Sequence, residues 1–167
     1  MKTAKQLLII RHAKSDWNNG LSDFDRPLNK RGKRNAPEMA KRLLEKQIIP
    51  DLVISSPANR AITTAGYFAE ILNFEKQNIQ VEKSIYEAEV IDLMNVINSI
   101  ENNYKHVALF GHNPGLTNLA YHLCSCNFNN IPTCGIVSII FPFDNWAMIS
   151  GSTGYMEFFD YPKNVVA

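Results

Sequence analysis

The chain has 167 residues, of which 46% are hydrophobic and 20% charged. This predicts one domain with enough apolar side chains for a sizeable core, and it excludes a disordered chain, a collagen-like fibre and a coiled coil. Seventeen Lys and Arg against sixteen Asp and Glu leave a formal net charge of +1, so total charge draws the chain toward neither nucleic acid nor anionic membrane. Any anion site must be local.

No linker, repeat or composition shift divides the sequence, so residues 1–167 read as a single domain. The first apolar run, Leu7 to Ile10, is far short of a signal-peptide core or a membrane span of ~20 residues, and a cytoplasmic location is the expectation. Three cysteines, an odd number without an export signal, point to reduced thiols. Leu7 to Ile10, Leu52 to Ile54 and Val107 to Phe110 are short apolar runs of the kind buried on both faces of a parallel sheet.

Helical patterns lie between these runs. After Asn29, the residues Ala36, Met39, Ala40, Leu43 and Leu44 step by three and four, with Pro37 expected to kink or restart the helix and residues 47–50 to end it. Ser56-Pro57 predicts an N-cap followed by proline at the first helical position, with Ala61, Ala65, Phe68, Ala69 and Leu72 facing inward. A third helix follows Glu87, with Val90, Leu93, Met94, Ile97 and Ile100 inward. A fourth opens at Asn113-Pro114, with Leu116, Leu119, Ala120 and Leu123 inward. Ile136 to Phe141, Trp146 to Ser150 and Tyr155 to Phe159 then read as β runs separated by turns. The expected fold class is α/β: a three-layer α/β/α sandwich around a mostly parallel sheet, with an antiparallel edge near the C-terminus.

In open α/β sheets, ligands bind beyond the carboxyl ends of the strands. There the chain places Arg11-His12, Gly111-His112, and Ser55-Ser56-Pro57 with Arg60 one turn later. Two imidazoles, two guanidiniums and the helix starts at Ser56 and Asn113 make an anion site, with phosphate the best match. Each planar guanidinium grips two phosphoryl oxygens and stays charged, as transfer of a phosphoryl group requires. With neither a Cys-x5-Arg loop nor an aspartate-rich metal cluster, histidine is the candidate nucleophile.

Arg11-His12-Ala13-Lys14-Ser15-Asp16-Trp17-Asn18 resembles the opening signature of the histidine phosphatase superfamily, also called phosphoglycerate mutase-like. Leu28 to Gly32, Ser55 to Ala61 with Thr64-Ala65, and Gly111-His112-Asn113-Pro114 resemble its successive motifs, so the similarity spans most of the chain. Small size and the Asp25-Arg26-Pro27-Leu28 stretch are most similar to the SixA-type phosphohistidine phosphatase branch. The resemblance implies that His12 becomes phosphorylated, that Arg11, Arg60 and His112 surround the transferred group, and that water then hydrolyses phospho-His12 with no metal or other cofactor. It also implies phosphate contacts from Asn18 and Ser15, and Glu87 as the proton donor with Asp16 as runner-up. The usual third residue of the motif is glycine. Here it is Ala13, which lacks glycine's access to positive φ.

The expected substrate is a phosphorylated protein or a small phosphorylated molecule, with neither nucleic acid nor membrane as partner and oligomeric state open. A phosphoglycerate-type mutase and a phosphate-binding module without catalysis are the alternatives. His122, Cys124, Cys126 and Cys134 form one rival constellation, but their spacing lacks the paired knuckles of a zinc site. Lys30, Arg31, Lys33, Arg34, Lys41 and Arg42 read as the solvated face of the first helix, and His106 and His122 as structural.

Overall fold

In the computed structural model, which describes residues 4–17 and 20–165, the apolar runs become neighbouring strands of one sheet. Its strands are β1 (Lys5–Arg11), β2 (Leu52–Ser55), β3 (Gln80–Val81), β4 (His106–Gly111), β5 (Ile136–Phe141) and β6 (Tyr155–Asp160), in the order β3-β2-β4-β1-β5-β6. The first four run parallel, and β5 pairs antiparallel with both β1 and β6. Register aligns the strand ends. Arg11 lies opposite Gly111 and Ser55 opposite Phe110, so β1, β2 and β4 end nearly level and His12, Ser56 and His112 leave the sheet at one edge.

Side chains alternate along a strand, and both faces are covered. Leu8, Ile10, Val53 and Phe110 pack beneath α1 (Lys30–Glu45) and α2 (Asn59–Ile71), using Ala36, Met39, Ala40, Leu43, Ala65 and Phe68. Leu7, Ile9, Ile54 and Leu109 pack beneath α3 (Val90–Asn98) and α4 (Gly115–Leu123), using Leu93, Ile97, Leu116 and Leu119. Each large aliphatic side chain so buried contributes about 1.5–3 kcal/mol, and the two layers hold the sheet edge rigid. Among the described residues, no helix is long and apolar enough to cross a membrane.

Four local expectations are corrected. Of the two outcomes expected at Pro37, a kink or a restart, the restart does not occur: α1 runs through it from an Asn29 cap whose Oδ1 accepts the Gly32 N–H at 2.9 Å, with Ala36, Met39, Ala40 and Leu43 all buried. Leu44 is 43% exposed because it stands about 100° around the helix from buried Leu43. Ser56 is not the cap of α2. Ala58 stays extended and the helix begins at Asn59, while the Ser56 hydroxyl accepts the Ala58 N–H at 3.2 Å. Finally, Trp146–Met148 is a 3-10 turn, because fully buried Trp146 directs its indole N–H to the Tyr104 carbonyl at 2.8 Å and its backbone N–H to Asn102 Oδ1 at 2.9 Å.

Candidate active site

The chain leaves β1 under tight control. The Arg11 N–H donates to the Gly135 carbonyl and the His12 N–H to the Gly111 carbonyl, each at 3.1 Å, while the Cys134 N–H donates to the carbonyls of Arg11 and His12 at 3.1 and 3.0 Å. The Ala13 N–H donates to Thr64 Oγ1 at 3.0 Å, and Ala13 adopts no left-handed φ, so glycine's freedom is not needed there. Beyond it, Lys14 lies against Gly32, where a Cβ would meet the Lys14 carbonyl oxygen at 2.2 Å. Only glycine lets α1 approach this loop so closely.

His12 is buried, and its Nδ1 lies 2.8 Å from the Ala13 carbonyl oxygen. A carbonyl only accepts, so Nδ1 carries the hydrogen and Nε2 presents a lone pair, with Arg60 Nε at 3.4 Å from it. The His112 ring centroid is 5.2 Å from that of His12, and its Nε2 is 2.8 Å from the Ser56 hydroxyl. Arg11 donates from Nη1 to the Ile131 carbonyl at 3.0 Å. Arg11 Nε and His112 Nδ1 are buried polar atoms with no hydrogen-bond partner in the protein. Such atoms beside a cavity are what an anion site requires.

Asp23, in a 3-10 turn (Asp23–Asp25), ties the rest together. Its Oδ1 accepts from Arg26 Nε and Nη2 at 3.1 and 3.0 Å, its Oδ2 from Arg60 Nη2 at 3.1 Å and the Tyr86 hydroxyl at 2.6 Å, and its carbonyl from Arg60 Nη1 at 2.6 Å. Arg26 also donates to Ser15 Oγ at 2.5 Å and lies 3.5 Å over the Trp17 ring. Tyr86 packs edge-on against His112. Its neighbour Glu87 is exposed and left-handed, with φ of 57°, a strained state that clusters at functional positions. Gly115, at the start of α4, lets this segment come close: a Cβ there would meet the Ala88 carbonyl oxygen at 2.6 Å.

The electrostatics follow from burial among cations. Burial pushes the His12 imidazole down to about 3, only partly offset by its bond to the Ala13 carbonyl, and the His112, Arg60 and Arg11 charges push the same way. His112 falls to about 4, through burial first and then the Arg60 charge. Burial, then Arg60, lowers Arg11 as well. The Tyr86 hydroxyl, followed by Arg26 and Arg60, holds the Asp23 carboxyl down at about 2, and the same hydrogen bond lifts Tyr86 to about 12. At neutral pH the cavity holds two neutral imidazoles among charged guanidiniums.

This cavity, of about 370 Å³, is lined by Arg11, His12, Ser15, Arg60, Glu87 and His112 of the sequence-derived set. Asn18 lies outside the described residues, and Asp16 is not part of the lining. Ser15 is buried with its hydroxyl on Arg26, so it reaches the site through that guanidinium. Sequence reasoning missed Asp23, Arg26 and Tyr86 as site residues, and it placed Ser56 at the site as a helix start rather than as the hydroxyl partner of His112. Ser56 and Arg26 stand in stretches already singled out, and the pairing of a polar residue with each strand end was the available signal. The three cysteines do not form one cluster: Cys124 and Cys126 lie together under α3 and α4, whereas Cys134 packs in the core under α1 and α2, on the opposite face of the sheet.

Residues 7–116 match the histidine phosphatase superfamily (branch 1), and the chain belongs to that family. It is 29% identical over 140 residues to a chloroplastic protein of Arabidopsis thaliana, a match covering 78% of this chain and 64% of that one. It is 39% identical over 75 residues to phosphoserine phosphatase 1 of Hydrogenobacter thermophilus, covering 42% of this chain and 34% of that protein. The match thus spans less than two thirds of the length of either relative. Among solved structures, the protein histidine phosphatase SixA complexed with tungstate superposes with a TM-score of 0.81 at 23% identity, over 95% of this chain and 98% of that one. The fold is the one seen in SixA.

Proposed function

We propose that this protein is a phosphatase that works through a phosphohistidine on His12, acting on a phosphorylated protein or a small phosphorylated molecule. The observation that carries the reading is the His12 ring itself: Nδ1 is anchored on the Ala13 carbonyl, and Nε2 is unprotonated at neutral pH and faces the cavity beside Arg60. The Nε2 lone pair attacks phosphorus, an N–P bond forms, and the bond from phosphorus to the leaving group breaks. Arg11, Arg60 and His112 surround the three equatorial oxygens, where charge gathers during transfer. Glu87 gives a proton to an alkoxide leaving group, and the carboxylate so formed then accepts one from the water that attacks phospho-His12. That second displacement returns the electron pair to Nε2 and releases inorganic phosphate.

The reaction needs no step through a metal, because the guanidiniums supply the charge that a metal would. The test is phosphate release from 4-nitrophenyl phosphate, with and without chelator. Turnover that is insensitive to chelator and falls at least ~10⁴-fold in His12→Ala supports the proposal. A phosphate-binding module without catalysis would give no turnover in the unmutated chain, and a mutase would transfer the group to an added alcohol rather than to water.

A further inference from the structure

The cavity has two differently charged ends. Its more deeply set cations are Arg11, Arg26 and Arg60, whereas its carboxylates, Asp23 and Glu87, stand at exposed positions. Counting Lys14, four cations line the cavity, and Asp23 is bonded directly to two of them. We infer that Asp23 is a specificity-determining residue: shared between Arg26 and Arg60, its carboxylate offsets part of the positive charge of the cavity and occupies donors that a second anionic group would need. It thereby disfavours phosphorylated molecules that carry a second anionic group. The inference rests on the phosphatase reading and deepens it.

The hydrogen bonds show how the restriction works. Asp23 takes Arg60 by Nη1 through its carbonyl and by Nη2 through its carboxylate, leaving Nε beside His12. Arg26 is engaged on both edges, by Asp23 and Ser15, and its flat face is covered by Trp17. A second carboxylate that reached for Arg26 or for the outer nitrogens of Arg60 would therefore have to displace Asp23 from these donors. Doing so exchanges one set of charge-assisted hydrogen bonds for another, so the new pair returns little. Tyr86 adds to this by donating to the same carboxylate. A neutral or cationic remainder meets none of these penalties.

The experiment compares two ligands of similar size, ethyl phosphate and phosphoglycolate, which differ by one carboxylate. Their binding to the whole chain is measured by calorimetry at fixed ionic strength in a His12→Ala background, where neither ester is turned over, with Asp23 unmutated, Asp23→Asn and Asp23→Glu. The protein unmutated at Asp23 should bind ethyl phosphate more tightly. Asp23→Asn should shift the ratio roughly 10-fold toward phosphoglycolate, as expected for one unit charge at short range in a partly solvated site. Asp23→Glu, which keeps the charge, should retain the original preference.

Equal changes for both ligands in Asp23→Asn would reduce Asp23 to a structural clasp and overturn the inference, as would an initial preference for phosphoglycolate. Should Asp23→Asn not fold, the protein unmutated at Asp23 decides at low and high salt. A preference for ethyl phosphate that shrinks with salt supports the inference, and one indifferent to salt overturns it. Because binding is the readout, absent hydrolysis would count against the phosphatase reading while the ligand ratio still judges Asp23.

Discussion

Strand β4 begins at His106 and is followed directly by His112, and the surroundings of the two histidines differ in kind. At the amino end of the sheet, the buried polar groups have partners. Lys5 Nζ donates to the carbonyls of Asn102 and Tyr104 at 2.7 and 2.9 Å. The Gln6 amide donates to Ser138 and Glu157, and its oxygen meets His106 Nδ1 at 2.9 Å. At the carboxyl end, Arg11 Nε and His112 Nδ1 are buried without one. A buried donor left unpaired costs about 1–3 kcal/mol, so the second end gives up stability that the first retains. The lesson is that a catalytic edge is recognised less by which polar residues it holds than by which polar atoms the fold leaves unanswered.

The comparison is tested hardest by Arg11→Met. It removes a guanidinium that would grip phosphate, so turnover of an aryl phosphate should fall roughly 10²- to 10³-fold. Its effect on stability should run the other way. The unpartnered Nε disappears, the thioether fills similar space, and the Ile131 carbonyl keeps the Asn113 Nδ2 bond at 2.9 Å. A thermal midpoint at or above that of the unmutated protein is expected, and a clear drop would break the contrast between the two ends.

Glu87→Ala sharpens the comparison within the catalytic edge. An alkoxide needs a proton to leave, whereas the imidazole of phosphohistidine leaves readily. Ester hydrolysis should therefore slow by roughly 10²-fold while dephosphorylation of a phosphohistidine protein changes far less. Parallel kinetics on both substrates measure the split, and equal losses would remove Glu87 from the role of acid.

Acid should act on the catalytic edge. His12 and His112 are lowered to about 3 and about 4 from an ordinary 6.5. Between those values and 6.5, the unfolded chain binds protons that the folded chain refuses, so stability rises with pH. The contribution is complete above about 6.5 and drains away as pH falls toward 4 and then 3. Urea midpoints taken from pH 6.5 down to 4.5 should therefore fall less in His112→Gln than in the unmutated protein. The acid limb of kcat/KM should likewise lie below the ordinary histidine range.

Much of this was legible in the sequence, and the reason it was is physical. Apolar runs buried on both faces announce strands, and a polar residue placed directly after such a run emerges at the carboxyl edge of the sheet, which is why His12 and His112, with Arg60 one turn into the following helix, line one cavity. Asp23 was not legible, because it sits in the short 3-10 turn Asp23–Asp25, where it is placed by tertiary hydrogen bonds to Arg26, Arg60 and Tyr86 rather than by periodicity. Ser56 was misread because Ser-Pro suits an N-cap locally. The tertiary partner of its hydroxyl, His112, lies 56 positions away. Trp146 carried a strand-like neighbourhood, yet its indole N–H needed the Tyr104 carbonyl, and that bond took the segment out of the ladder.

The smallest predicted effect is the complement of the first. Gln6→Ala at the amino end should lower stability by about 1 kcal/mol, the net worth of its hydrogen bonds once water and neighbours respond. The loss stays modest because Ser138 Oγ still donates to Glu157 Oε2 at 2.8 Å, and His106, at an exposed position, finds water in place of the Gln6 oxygen. Turnover should stay within about twofold, since Gln6 stands five strand residues, about 17 Å, from Arg11. Denaturant titration and steady-state kinetics on the same preparation check both halves. A tenfold loss of turnover in a folded Gln6→Ala protein would mean that β1 transmits strain along its length, and the two ends would then have to be treated as one coupled network.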